Sequence, residues 1–138
     1  MRIVYVDTGA LIALIWRRDR QHERVREHYE RLREARDALL TSSLVIAETA
    51  TRMRYDAGLR PALTFRELVE QAENTGRLNV RRPDADLESR AWDVMERYHD
   101  RALSFTDCVG AVTARDGSAE AVFGLDADFA VLGFALEP

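Results

Sequence analysis

The sequence predicts an α/β domain: a central, mostly parallel sheet of about five strands with helices on both faces. Three observations lead there. Ile3-Val4-Tyr5-Val6 is a β-branched and aromatic run with no polar alternation, which reads as a strand buried on both faces. Further short apolar runs recur between longer segments of helical periodicity, the order that right-handed crossovers turn into a parallel sheet. No repeat, low-complexity tract or linker interrupts the chain, so residues 1–138 read as a single domain.

The elements follow in order. After the first strand, Ala10 to Trp16 continue as a short apolar helix. From Arg17 to Arg36 the composition turns to Arg, Glu, His and Gln, with Val25, Tyr29 and Leu32 forming a narrow apolar stripe on a charged helix. Ala38 to Thr41 reads as a second strand, and Ser42 and Ser43 suit the cap of a helix running from Leu44 to about Tyr55. Gly58 ends that helix, and Pro61 stands in the first turn of another that Gly76 stops. Leu78 to Val80 is a third strand, and Asp84 or Asp86 caps a helix reaching Tyr98. Ala102 to Phe105 reads as a fourth strand, followed by a small-residue helix through Ala114. Ala121 to Leu125 is the fifth, and Val131 to Leu136 supplies a last apolar piece.

Composition narrows the chemistry. The net charge of −4 argues against a surface that coats nucleic acid over a wide area, yet it does not exclude a nucleic-acid enzyme whose site is acidic. All twenty basic residues are arginine and none is lysine. That removes phosphoacceptor receiver domains, haloacid-dehalogenase-like phosphatases and P-loop enzymes, each of which needs a lysine. Cys108 is the one cysteine, so no internal disulfide forms, which fits a reducing cytoplasm. The apolar start carries Asp7 inside the run and is too short to span a bilayer, so it reads as structure and not as a leader.

Three acids fall at what read as strand ends: Asp7, Asp107 and Asp126. In open α/β sheets that rim is where ligands bind. A fourth, Glu48, lies mid-helix on a face with Leu44, Thr51 and Tyr55, where a carboxylate is unusual unless paired or metal-bound. Asp7 and Asp107 also fit helix caps, and Glu48 also fits an ion pair with Arg52 one turn on. Together the four point elsewhere. Two unit charges about 5 Å apart at an effective dielectric near 20 repel by roughly 3 kcal/mol, so such a quartet calls for proton sharing, arginine or a divalent cation. Oxygen-only ligands at a sheet edge suit Mg²⁺ or Mn²⁺ and phosphoryl-transfer chemistry.

These segments resemble the PIN-domain ribonucleases, most closely the VapC toxins of type II toxin–antitoxin modules. The carriers are Val6-Asp7-Thr8-Gly9-Ala10-Leu11, Ser43-Leu44-Val45-Ile46-Ala47-Glu48-Thr49, Leu103-Ser104-Phe105-Thr106-Asp107-Cys108 and Leu125-Asp126-Ala127-Asp128-Phe129. The resemblance implies a three-layer α/β/α PIN-like fold and Mg²⁺- or Mn²⁺-dependent endonucleolytic cleavage of RNA. It places Asp7, Glu48, Asp107 and Asp126 in the catalytic set, with Asp7 and Asp107 as the central metal ligands. Thr8, Thr106 and Asp128 become supporting residues. It further implies a VapB-like antitoxin as protein partner, a homodimer or a toxin–antitoxin hetero-oligomer, and a cytoplasmic location. Gly9 and Gly124 stand where the family often carries small polar residues. A free-standing PIN nuclease of RNA processing and a PIN-fold binding module are the competing readings.

Several conspicuous residues carry less. His22, His28 and His99 lack the i,i+4 spacing to each other of a helical zinc site and read as solvated or partly packed. Cys108 reads as a small buried thiol, and Trp16 and Trp92 as core or interface residues.

Overall fold

The computed structural model describes all 138 residues, Met1–Pro138. In chain order the elements are β1 (Ile3–Val6), α1 (Thr8–Ile15), α2 (His22–Glu34), β2 (Ala38–Ser42), α3 (Ser43–Asp56), α4 (Leu59–Asn74), β3 (Leu78–Arg81), α5 (Ala85–Arg97), α6 (Phe105–Asp116), β4 (Ala121–Phe123), α7 (Asp128–Val131) and β5 (Leu136–Glu137). The sheet runs in the order β3-β2-β1-β4-β5, with every neighbouring pair parallel. The predicted α/β class and five-stranded parallel sheet are therefore present, and β1 lies at the centre.

Alternation along β1 divides the interior. Val4 and Val6 face one layer with Ala10, Val25, Leu32 and Phe123, against which α1 and α2 pack. Tyr5 faces the other layer with Leu40, Val45, Ala91, Val109 and Val112, from α3, α5 and α6. Both faces of the strand are dry, as the lack of polar alternation required. Tyr5 is fully buried and its hydroxyl lies 3.4 Å from Ser42 Oγ, across the β1–β2 pair.

The segment Ala102–Phe105 corrects the sequence reading. It is no strand: α6 already begins at Phe105, and the residues before it pair with nothing in the sheet. The reason is local. Ser104 Oγ accepts the Asp107 amide at 3.0 Å, while the Asp107 carboxylate accepts the Ser104 amide at 3.0 Å. This reciprocal capping box satisfies the backbone donors that a strand would have given to a neighbour. Both edges of β1 are moreover already filled by β2 and β4. The fifth strand is supplied by Leu136–Glu137, within the last apolar piece and one residue beyond it.

Two helices differ in detail. The charged helix starts at His22 and not at Arg17, because Trp16–Gln21 form turns held by the Asp19 carboxylate on the Gln21 amide (2.8 Å) and by His22 Nδ1 on the Ala13 carbonyl (2.7 Å). Helix α3 buries Val45, Thr49 and Met53, and not the row through Leu44, Thr51 and Tyr55; Tyr55 is 81% exposed. At the opposite end from α3, Arg2 binds Asp37 and Glu137, and buried His28 binds Glu137 at 2.9 Å beside the Phe123 ring. This network fastens the C-terminal strand to the start of β1.

One tight approach in the Tyr5 layer is at Gly110 of α6. A Cβ there would stand 2.8 Å from the Tyr5 hydroxyl and 3.2 Å from its ring. Gly110→Ala is expected to lower unfolding free energy by about 1–3 kcal/mol in denaturant titration, the overpacking cost exceeding the gain in helix propensity. A more stable variant would mean that α6 does not lie this tightly on β1.

Candidate active site

The site is assembled by what ends β1. Its last pairing hydrogen bond runs from the Asp7 amide to the Phe123 carbonyl at 2.9 Å, and α1 begins at Thr8. Asp7 occupies the N-cap position of that helix, but its carboxylate caps nothing. The simple capping explanation for this acid therefore fails. Asp7 is 5% exposed, and no arginine pairs with it. Thr8 Oγ1 beside it is buried without a hydrogen-bond partner.

The other acids arrive from separate elements. Glu48 comes from the flank of α3 next to the buried Val45–Thr49 row, half-buried and in no ion pair with Arg52. Asp107 is the third residue of α6, half-buried and tied to Ser104. Asp126 follows β4 and accepts the Asp128 amide at 2.9 Å. Asp128 differs: it pairs with Arg101 at 3.3 Å. Thr106, half-buried in the first turn of α6, adjoins Asp107. Gly124 explains how Asp7 is accommodated, since a Cβ there would stand 3.1 Å from Asp7 Cβ.

Electrostatics shows the four acids acting on one point. Burial, first, pushes the Asp7 carboxyl up to about 7 against the lowering effect of the Thr8 amide, and the charges of Asp107, Asp126 and Glu48 add to the rise. Asp107 is also raised, chiefly by burial, with Asp126 and Asp128 adding to it against the lowering effect of Ser104. The structure thus brings the four predicted acids into one electrostatic cluster and leaves Asp128 half-neutralised at its edge. Asp107 reaches it by a capping box and not by a strand end, which is the one wrong route in the sequence reading.

The donor set fits a hard divalent cation. It is all oxygen, anionic and without an internal cation, and it has a buried orphan hydroxyl alongside. No three of these side chains are drawn close enough to hold an ion by direct contact.

A carboxylate cluster on the carboxyl rim of a parallel sheet in this strand order defines the class. The sequence pattern of the PIN domain matches residues 4–135, and the chain belongs to that family. Among characterised proteins it is similar to the 23S rRNA-specific endonuclease VapC20 of Mycobacterium tuberculosis, 27% identical over 132 residues that span 96% of this chain and 95% of that one. The crystal structure of M. tuberculosis VapC20, described as a sarcin–ricin loop cleaving toxin, superposes with a TM-score of 0.82 at 28% identity, covering 98% and 99% of the two chains. VapBC2 from Rickettsia felis, crystallised on a DNA fragment from its promoter, shares the fold at a TM-score of 0.71 and 15% identity, over 98% and 97% of the chains.

Asp7 makes folding stability depend on pH. Between its ordinary value of 3.8 and its folded value of about 7, the native chain holds a proton that the unfolded chain has lost. Stability therefore falls as pH rises through that window, by on the order of 4 kcal/mol in all. In EDTA, thermal melts from pH 5 to pH 8 are expected to show this fall, Asp7→Asn to flatten it, and added Mg²⁺ to restore the wild type at pH 8. A wild type that gains stability over the same range would contradict the burial of an uncompensated carboxylate.

Proposed function

We propose that this protein is a Mg²⁺- or Mn²⁺-dependent endoribonuclease acting in the cytoplasm as the toxin of a VapBC-like toxin–antitoxin pair, built as one PIN domain over residues 1–138. The observation that carries the reading is Asp7: a buried carboxylate raised to about 7 by its surroundings and by three further acids, with no arginine to offset them. Similarity over nearly the full length to an rRNA-specific endonuclease supports the substrate class, and the sarcin–ricin loop of 23S rRNA is the first target to test. An antitoxin is supported by the same likeness, and a homodimer or toxin–antitoxin hetero-oligomer is the assembly to look for. No helix is long and apolar enough to cross a membrane.

In this reading Asp7 and Asp107 hold the cation, with Glu48 and Asp126 completing the acid shell. When bound, the cation supplies charge neutralisation at a phosphodiester and a water of lowered pKa. The protein's own contribution is positional. Asp7 is fixed by the β1–β4 pairing and by burial, and Asp107 by its bond with Ser104, so two acids point at the substrate from rigid mounts. Thr8 leaves an unpartnered hydroxyl beside Asp7, Thr106 adjoins Asp107 as a supporting residue, and Arg101 holds Asp128 at the margin.

The test is cleavage of ribosomal RNA and of a sarcin–ricin-loop oligonucleotide with Mg²⁺ or Mn²⁺. Wild type is expected to cut only with the metal, and Asp7→Asn and Asp107→Asn to lose roughly a hundredfold or more in rate. Metal-dependent cutting untouched by both changes would sink the site assignment. Growth arrest on expression, relieved by the product of an adjacent reading frame, separates a toxin from a housekeeping nuclease.

A further inference from the structure

Between the α1–α2 turn and α3 lies a notch of about 550 Å³ that the acids do not use. Its wall is one face of α1, where Gly9, Ile12 and Trp16 recur at helical spacing. Gly9 is two residues from Asp7, and Leu125, which packs against Gly9 in the same lining, immediately precedes Asp126. The notch therefore opens beside two of the four acids. It runs about 10 Å along α1, at 1.5 Å per residue, to the half-buried Trp16.

Three arginines line it: Arg18 and Arg20 from the turn and Arg52 from α3. All three are exposed, and none makes an ion pair or a side-chain hydrogen bond. Elsewhere arginine also serves as an internal tie, as at Arg2 and Arg90. The one acid in the notch, Asp19, spends Oδ1 on the Gln21 amide. The turn that carries Arg18 and Arg20 is itself held by His22 on Ala13, so the guanidinium groups stand on a fixed base.

Resting on the nuclease reading, we propose that this notch is the subsite for RNA flanking the cut: Arg18, Arg20 and Arg52 clamp a backbone phosphate, with Trp16 as its apolar floor. The physical need is plain. An acid cluster repels a polyanion, and without lysine the permanently charged side chains that can draw the strand toward it are guanidinium groups. A clamp one or two backbone steps from the acids offsets that repulsion without neutralising them. It also favours a strand that enters along α1, which sets the direction in which the chain lies over Asp7 and Asp126.

The test is binding of a fluorescent single-stranded RNA in EDTA, where no cutting interferes, as a function of salt. The triple variant Arg18→Gln, Arg20→Gln, Arg52→Gln is compared with Arg54→Gln, Arg60→Gln, Arg66→Gln, which removes the same charge from α3 and α4 away from the notch. The notch triple is expected to weaken binding roughly tenfold or more and to reduce the salt slope by about 0.7 for each phosphate it no longer neutralises. The control triple is expected to shift affinity less than threefold, with both melting like the wild type. Equal losses of affinity in the two triples, or unchanged RNA binding in the notch triple, would overturn the clamp; the second outcome with lost binding to an acidic peptide would assign the notch to a protein partner instead. Either result leaves the nuclease reading standing, whereas a wild type that binds RNA through the notch but never cuts it would defeat that reading alone.

Discussion

The rest of this molecule depends on holding one carboxylate where water barely reaches it. Asp7 ends the central strand of the sheet, and a central strand is dry on both faces. Its charge is disfavoured there by burial before any neighbour is counted. Three more acids then add to the repulsion. Such an arrangement is unfavourable for folding alone, and it persists because strong packing around β1 overdetermines the position. Functional sites commonly carry this kind of local strain.

Arginine takes the place lysine would share in other chains, and it does so in two ways. Away from the acids it ties elements together: Arg2 joins Asp37 and Glu137 across the sheet, and Arg90 grips Asp116 with two nitrogens, joining α5 to α6. In the notch beside the rim Arg18, Arg20 and Arg52 are left free, while Arg101 pairs with Asp128. Planar, permanently charged forks suit both tasks, since they bind carboxylate and phosphate with the same geometry. The result is a domain of net charge −4 that still presents a cationic notch beside its acid cluster.

Much of this was legible in the sequence because the physics involved is local. Ile3–Val6 could only be a buried strand, and Asp7, at its end, could only lie on the rim. The helices with strong start signals, such as the one Asp84 caps, fell where they read. What was hidden was set by partners distant in sequence or by competing local bonds. Ala102–Phe105 has strand composition, yet the Ser104–Asp107 box turns it into a helix start. Glu48 was read on the right helix but with the wrong neighbours, since the row α3 buries is decided by the sheet it meets. His28 is buried because Glu137, far along the chain, returns beside it. The notch was invisible for the same reason: Arg52 and Arg18 meet only after β2 has brought α3 back against α1.

The family's looser positions also acquire a reason. Gly124 lies so close to Asp7 that a side chain there would press on the Asp7 Cβ, whereas a side chain at Gly9 would find ordinary contact with Leu125. The first position fixes where Asp7 sits, and the second borders Leu125. The central claim is that Asp7 is a buried acid poised for a cation, and its carbon-13 carboxyl titration by nuclear magnetic resonance tests that most directly. Without divalent metal it should titrate near 7, and with saturating Mg²⁺ it should remain ionised well below that. A carboxyl that titrates at the ordinary 3.8 in EDTA and ignores Mg²⁺ would contradict the account.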